Sequence, residues 1–288
     1  MDCIVETRDL LGESVLWCPR SRRLWWVDVL RATLHELTWP GGDHRTHQLP
    51  FRRLGSIGLR AGGGLLLATE QGVFGWDAER GVGAQLMAPR WDPASHRLND
   101  GRCDRAGRFW VGSMHDTNFV PEGTLFSLDP TTEVVSHFDE IIVPNGIAFS
   151  PDDRCFYFAD TRRYMIWQFD FDIGSGRISN RRPLVDFGRG PGRPDGSCVD
   201  ADGCIWNATY DGSRVVRYTP QGAVDRVVQL PVTCPTCVCL GGPDLDTLFV
   251  TSASFPLTPE QRTREPLAGG LFALRVAVKG LAEPMFAA

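Results

Sequence analysis

The sequence predicts an all-β fold, a six-bladed β-propeller formed as one domain over residues 1–288. Three observations lead there. Short runs rich in Val, Leu, Phe and Trp alternate with Gly, Pro and Asp turns along the chain. No segment sustains a helical period over three turns, because Gly and Pro interrupt each candidate. The same strand-turn-strand unit recurs at intervals of roughly 40 to 50 residues, the span of a four-stranded blade. Many short strands would also suit a β-sandwich, but a sandwich does not predict six copies in one register.

In chain order the units are "ESVLWCPRSRRLWWVD" from Glu13, "GSIGLRAGGGLLLAT" from Gly55, "NDGRCDRAGRFWVGS" from Asn99, "NGIAFSPDDRCFYFAD" from Asn145, "DGSCVDADGCIWNAT" from Asp195 and "CVCLGGPDLDTLFVTS" from Cys237. In each, a β-rich run meets a polar turn and a second run returns. A third strand follows, seen in "TLHELTW", "GVFGWD", "GTLFSLD", "MIWQFDFD", "RVVRYT" and "GLFALRV". The fifth unit holds two Asp-Gly pairs. Asp202-Gly203 sits between the apolar alternations Ser197–Val199 and Cys204–Trp206, where a hairpin connection belongs. Asp195-Gly196 precedes the alternation, so it is expected to lie ahead of the strand and needs another explanation.

In a propeller the innermost strands line a central channel, so one register position in every unit points at one axis. Five residues before the first turn residues Cys18, Arg60, Asp104, Ser150, Asp200 and Gly242 stand Glu13, Gly55, Asn99, Asn145, Asp195 and Cys237. Any single Asn or Asp there suits a loop through its tolerance of left-handed backbone. Together, the carboxylates of Glu13 and Asp195 and the carboxamides of Asn99 and Asn145 would repel or stay unpaired at a channel mouth unless a cation sat among them. Oxygen donors favour Ca²⁺, Mg²⁺ or Mn²⁺, with Zn²⁺ and Fe²⁺ also compatible. With so few side-chain ligands, coordination positions remain for water or substrate.

Composition closes off other classes. A formal net charge of −5 with arginine pairs scattered among acids argues against nucleic-acid binding. Lys279 is the sole lysine, which makes a P-loop or a Schiff-base enzyme improbable. No G-x-S-x-G, H-E-x-x-H or strand-to-helix G-x-G-x-x-G is present. The N-terminus carries acids where a signal peptide needs positive charge, and no apolar run nears the ~20 residues of a membrane span. A soluble cytoplasmic protein is expected, its nine cysteines reduced. Cys234 and Cys237 form half of a zinc pattern without a second pair to complete it.

"LGESVLW", "HRLNDGRCD", "GRFWVGSM", "VPNGIAFSPD", "RPDGSCVDADG", "LGGPDLDTLFVTSA" and "PLAGGLFAL", in this order over nearly the whole chain, resemble the gluconolactonase, regucalcin (senescence marker protein) and luciferin-regenerating-enzyme family. The resemblance implies a propeller that binds one divalent metal and hydrolyses sugar lactones. Glu13, Asn145 and Asp195 match the family's metal ligands, and Arg97 and Asn99 its substrate-orienting pair. The family's loop after "GSM" often brings a carboxylate to the sugar. Here that loop reads "HDTNFVPEG", leaving Asp116 and Glu122 as alternatives and His115 as a candidate lining residue.

The expected reaction is opening of an aldonolactone, with Asp195 as general base toward water and a small-molecule sugar lactone as partner. Two rivals stand beside it: a related propeller hydrolase for aryl esters or organophosphates, and a non-catalytic calcium-binding regulator.

Overall fold

The predicted turn at Asp200 closes a hairpin in the computed structural model, which describes residues 1–188 and 190–288. Cys204 carbonyl accepts from Asp200 N at 3.0 Å, Asp200 carbonyl accepts from Gly203 N at 3.0 Å, and Gly203 takes φ +83°, a left-handed value that favours glycine. Asp200 itself explains why the turn begins there. Its Oδ1 accepts from the Asp202 and Cys204 amides, while its Oδ2 accepts from the Trp206 indole at 2.8 Å and from Arg217 at 2.8 Å. The third unit repeats the device: Asp104 holds the Ala106 and Arg108 amides, the Trp110 indole at 2.9 Å and the Arg108 guanidinium. A buried tryptophan needs a partner for its N–H. The turn aspartate supplies it.

Six antiparallel sheets stand as blades around an axis, and helix is nearly absent. The inner strands are Gly12–Cys18, Leu54–Arg60, His96–Cys103, Pro144–Phe149, Arg193–Val199 and Pro235–Gly241. Each packs on the inner strands of both neighbouring blades, and the ring closes between the first and the last. Interblade layers are aromatic and aliphatic. Trp25 meets Trp76 edge-on at 5.7 Å between the first two blades, and Trp110 meets Phe149, Phe156 and Phe171 at 5.1 to 5.9 Å between the third and fourth.

Every blade has a fourth strand. Segments such as His44–Gln48 and Val224–Gln229 face solvent along most of their length, so they carry no apolar alternation to announce them. The sixth blade takes its outer strand from the other end of the chain, where Asp2–Val5 pairs antiparallel with Leu271–Arg275. Near the C-terminus, Met285–Phe286 pairs in parallel with Leu54–Arg60, and Phe286 is fully buried among Leu66, Val73 and Phe109. Among the described residues the single α-helix is Pro259–Arg264, opened by a Thr258–Gln261 capping box. Among the described residues no helix is long and apolar enough to cross a membrane. All nine cysteines are free thiols.

Candidate functional site

A β-bulge interrupts the pairing of all six inner strands with their neighbours at nearly the same place. The irregularities fall at Glu13/Leu16, Leu54/Ser56, Leu98/Gly101, Asn145/Ala148, Pro194/Ser197 and Pro235/Val238. These are the register positions of the sequence repeat. An unpaired extra residue bends the strand and re-aims its side chain. Asp195-Gly196 therefore lies inside the strand Arg193–Val199, not ahead of it. The bulge is what the Asp-Gly pair makes. At Gly55 the register carries no side chain for a steric reason, since a Cβ there would stand 2.1 Å from the Leu98 carbonyl oxygen.

Glu13, Arg97, Asn99, Asn145 and Asp195 line one cavity of ≈ 170 Å³. Hydrogen bonds link the polar side chains across three blades. Asp116 Oδ1 accepts from Arg97 Nε at 2.7 Å; Arg97 Nη1 donates to Asn99 Oδ1 at 2.5 Å; Asn99 Nδ2 donates to Pro144 carbonyl at 2.7 Å and to Asn145 Oδ1 at 3.2 Å. Thr161 then fixes Asn145. Its hydroxyl donates to Pro194 carbonyl at 2.8 Å, which uses its only hydrogen, so it accepts from Asn145 Nδ2 at 2.8 Å. Asn145 Oδ1 is thereby turned away from Thr161 toward Asn99.

The electrostatics of this mouth are unbalanced. Burial, then the Asp100 carboxylate, pushes Glu13 up to about 8 against the opposing Ser14 amide and Arg97. Burial, then Glu13 and Asp100, drives Asp195 well above the usual carboxylate range. Asp195 Oδ1 is buried without any hydrogen-bond partner. An orphaned buried carboxylate oxygen is costly unless a cation or a donor reaches it. No group of three or more His, Cys, Asp or Glu among the described residues is arranged as a metal cluster, and the oxygens gathered here include carboxamides. Two carboxylates and an oriented carboxamide fit a hard divalent ion better than a soft one.

Of the alternatives left open after "GSM", the structure brings Asp116 to the cavity. There Asp116 receives Arg97, Arg52 and Arg53, which outweigh its burial and hold its pKa below the ordinary value. Glu122 and His115 depart from expectation, since neither lines the cavity. Glu122 is 57% exposed and pairs with His96 at 3.2 Å. His115 Nδ1 accepts from the Thr117 and Asn118 amides, and its ring lies 4.9 Å from that of His96, as a local loop brace. The physical reason is strand alternation: Met114 and Asp116 face the cavity, so His115 between them faces away.

Asp100, Thr161, Arg162 and Arg193 escape sequence reasoning. Asp100 follows Asn99, and the bulge between Leu98 and Gly101 brings its carboxylate near those of Glu13 and Asp195, where its Oδ2 accepts from Ile147 N at 2.9 Å. The "NDG" triplet was the only hint. Thr161, Arg162 and Arg193 lie beyond the repeated register, so nothing local marks them.

At the opposite mouth, residues 281–284 line a small cavity of ≈ 30 Å³ with Arg102, and Glu283 reaches Arg102 at 3.7 Å.

Residues 11–254 match the family described as the SMP-30/Gluconolactonase/LRE-like region. The chain is 38% identical over its whole length to a 6-deoxy-6-sulfogluconolactonase of Pseudomonas putida, covering 98% of that protein. It is 32% identical to regucalcin of Xenopus laevis, across 100% of this chain and 98% of the other. The solved structure of a calcium-binding protein, regucalcin, from Agrobacterium tumefaciens superposes with a TM-score of 0.94 at 32% identity, covering 99% of this chain and 96% of that one.

Proposed function

The chain belongs to the SMP-30/gluconolactonase/LRE-like family, and from that premise we propose that it is a metal-dependent hydrolase opening a sugar lactone to its aldonic acid. The observation that carries this reading is the convergence of Glu13, Asn145 and Asp195 in one cavity, with Asp195 Oδ1 buried and unpartnered. The sulfogluconolactonase relative supports lactone opening, and the calcium-binding relative supports a hard divalent ion.

Glu13, Asn145 and Asp195 are the residues that would hold the ion, which when bound supplies Lewis-acid polarisation of the lactone carbonyl. Asp195 accepts a proton from water as the water oxygen bonds to the carbonyl carbon. The ring C–O bond then breaks, and Asp195 returns that proton to the departing ring oxygen, leaving a hydroxy acid. No covalent enzyme intermediate is needed. Arg97 and Asn99 hold the sugar ring and its hydroxyls so that water meets one face of the carbonyl. Asp116 keeps Arg97 charged and oriented.

The test is turnover of a lactone panel, with aryl esters alongside, by protein stripped of metal and reloaded with single cations. Asp195→Asn should keep the melting temperature of the metal-free protein and lose on the order of 10³-fold in kcat. Near-native hydrolysis by that variant removes Asp195 from the reaction; unchanged turnover by demonstrably metal-free protein removes the ion.

A further inference from the structure

Resting on that lactonase reading, we propose that the preferred lactone carries an oxyanionic substituent, bound at the cavity mouth by Arg162 and Arg193. Both arginines line the cavity, from successive blades. Arg162 Cζ lies 4.2 Å from the centroid of the Phe119 ring, and Arg193 Cζ 5.1 Å from that of Tyr210. Phe119 and Tyr210 line the same cavity. An aromatic face holds a planar guanidinium in place without using its N–H donors, so the fork stays available to a ligand.

Arg162 has no competing partner. Among the described residues its guanidinium makes neither a hydrogen bond nor an ion pair; the one bond recorded for this residue is from its backbone amide to Asp160 Oδ1. Arg163, next in the chain, shows the ordinary alternative, pairing with Asp160 at 3.2 Å and donating to Glu140 carbonyl at 2.8 Å. Among the described residues the one ion pair of Arg193 is with Asp211, at 3.5 Å, and Asp211 is 58% exposed, so the pair is weak; Arg193 also acts on the Asp195 carboxylate from within the cavity.

Charge accounting sharpens the point. Glu13, Asp116 and Asp195 among the lining residues face Arg97, Arg162 and Arg193, three of each sign. Asp116 is committed to Arg97, with Arg52 and Arg53 also against it. Glu13 and Asp195 are committed to the ion. With the Asp100 carboxylate beside Glu13 and Asp195 counted as well, a divalent cation leaves this site at about +1 in a chain whose net charge is −5. Sulfonate, phosphate and carboxylate oxygens all match a guanidinium fork, whereas a neutral sugar leaves the Arg162 donors to water.

The experiment measures kcat/KM of the metal-loaded protein on lactones that share a ring and differ only in the end group: hydroxymethyl, sulfonate, phosphate or carboxylate. The wild-type protein is expected to favour at least one anionic lactone over the neutral one by about tenfold or more. The preferred arm identifies the anion. Arg162→Ala and Arg193→Ala should each cut that anionic-to-neutral ratio by about tenfold, mainly through KM, and Arg162→Lys should retain part of it. A ratio near one in the wild type, or one that both alanine variants leave intact, overturns the anion site while lactone hydrolysis stands. If no lactone in the series is opened, the lactonase reading falls, and the anion site with it.

Discussion

Thr161 shows how one hydroxyl can decide the orientation of a neighbour. A carboxamide presents an oxygen or an amine according to which way it is turned, and Thr161 settles Asn145 by accepting from its Nδ2 while donating to Pro194. Thr161→Val preserves shape and removes the acceptor, freeing Asn145 to rotate. Outer partners of metal ligands are worth about 10- to 100-fold in affinity. The variant is expected to bind a divalent ion about tenfold more weakly by titration calorimetry and, metal-free, to lose about 1–3 kcal/mol of stability, because the Pro194 carbonyl and Asn145 Nδ2 lose a buried partner. An equal loss of stability and no loss of affinity would assign Thr161 to packing alone. At this scale the sequence exposes Glu13, Asn99, Asn145 and Asp195 because they share a repeat position. It conceals Thr161 because that residue occurs once, outside the repeat, and acts on a neighbour folded against it.

At the scale of the element, the bulge is the functional unit. A regular strand would send alternate side chains to opposite faces. Breaking the ladder at each inner strand is what lets Asn99 and Asp100, adjacent in sequence, both influence the channel mouth. Outer strands obey different logic: they are polar and exposed, so hydrophobic period finds the inner three strands of a blade and passes over the fourth. The strand Met285–Phe286 is too short to read from any pattern. Its contribution comes from Phe286, fully buried between the second and third blades. Phe286→Ala should cost about 3 kcal/mol of unfolding free energy in a denaturant titration. Lactone turnover at 25 °C should be unaffected, since the residue lies away from the open cavity.

The whole molecule is a ring whose site belongs to no single blade. Glu13, Asn145 and Asp195 come from the first, fourth and fifth blades, so an ion held by all three ties distant parts of the chain together. At a cation concentration a hundred times its dissociation constant, binding adds about 2.7 kcal/mol to stability. In a chain of this size that is a rise in melting temperature of roughly 5 °C. Calorimetry with and without chelator should show the shift in the wild-type protein and lose it in Glu13→Gln. By itself the sequence determined the propeller, its six units and the shared register of oxygen-bearing residues, because repetition and turn chemistry are local and survive in a linear string. The tertiary structure alone decided that Asp116, and not Glu122 or His115, joins the cavity, that among the described residues Arg162 stays unpaired while Arg163 does not, and that residues 281–284 come to stand at the other mouth. Those outcomes depend on which loops and strand ends from separate blades come to stand side by side, and a chain acquires such neighbours only when the ring closes.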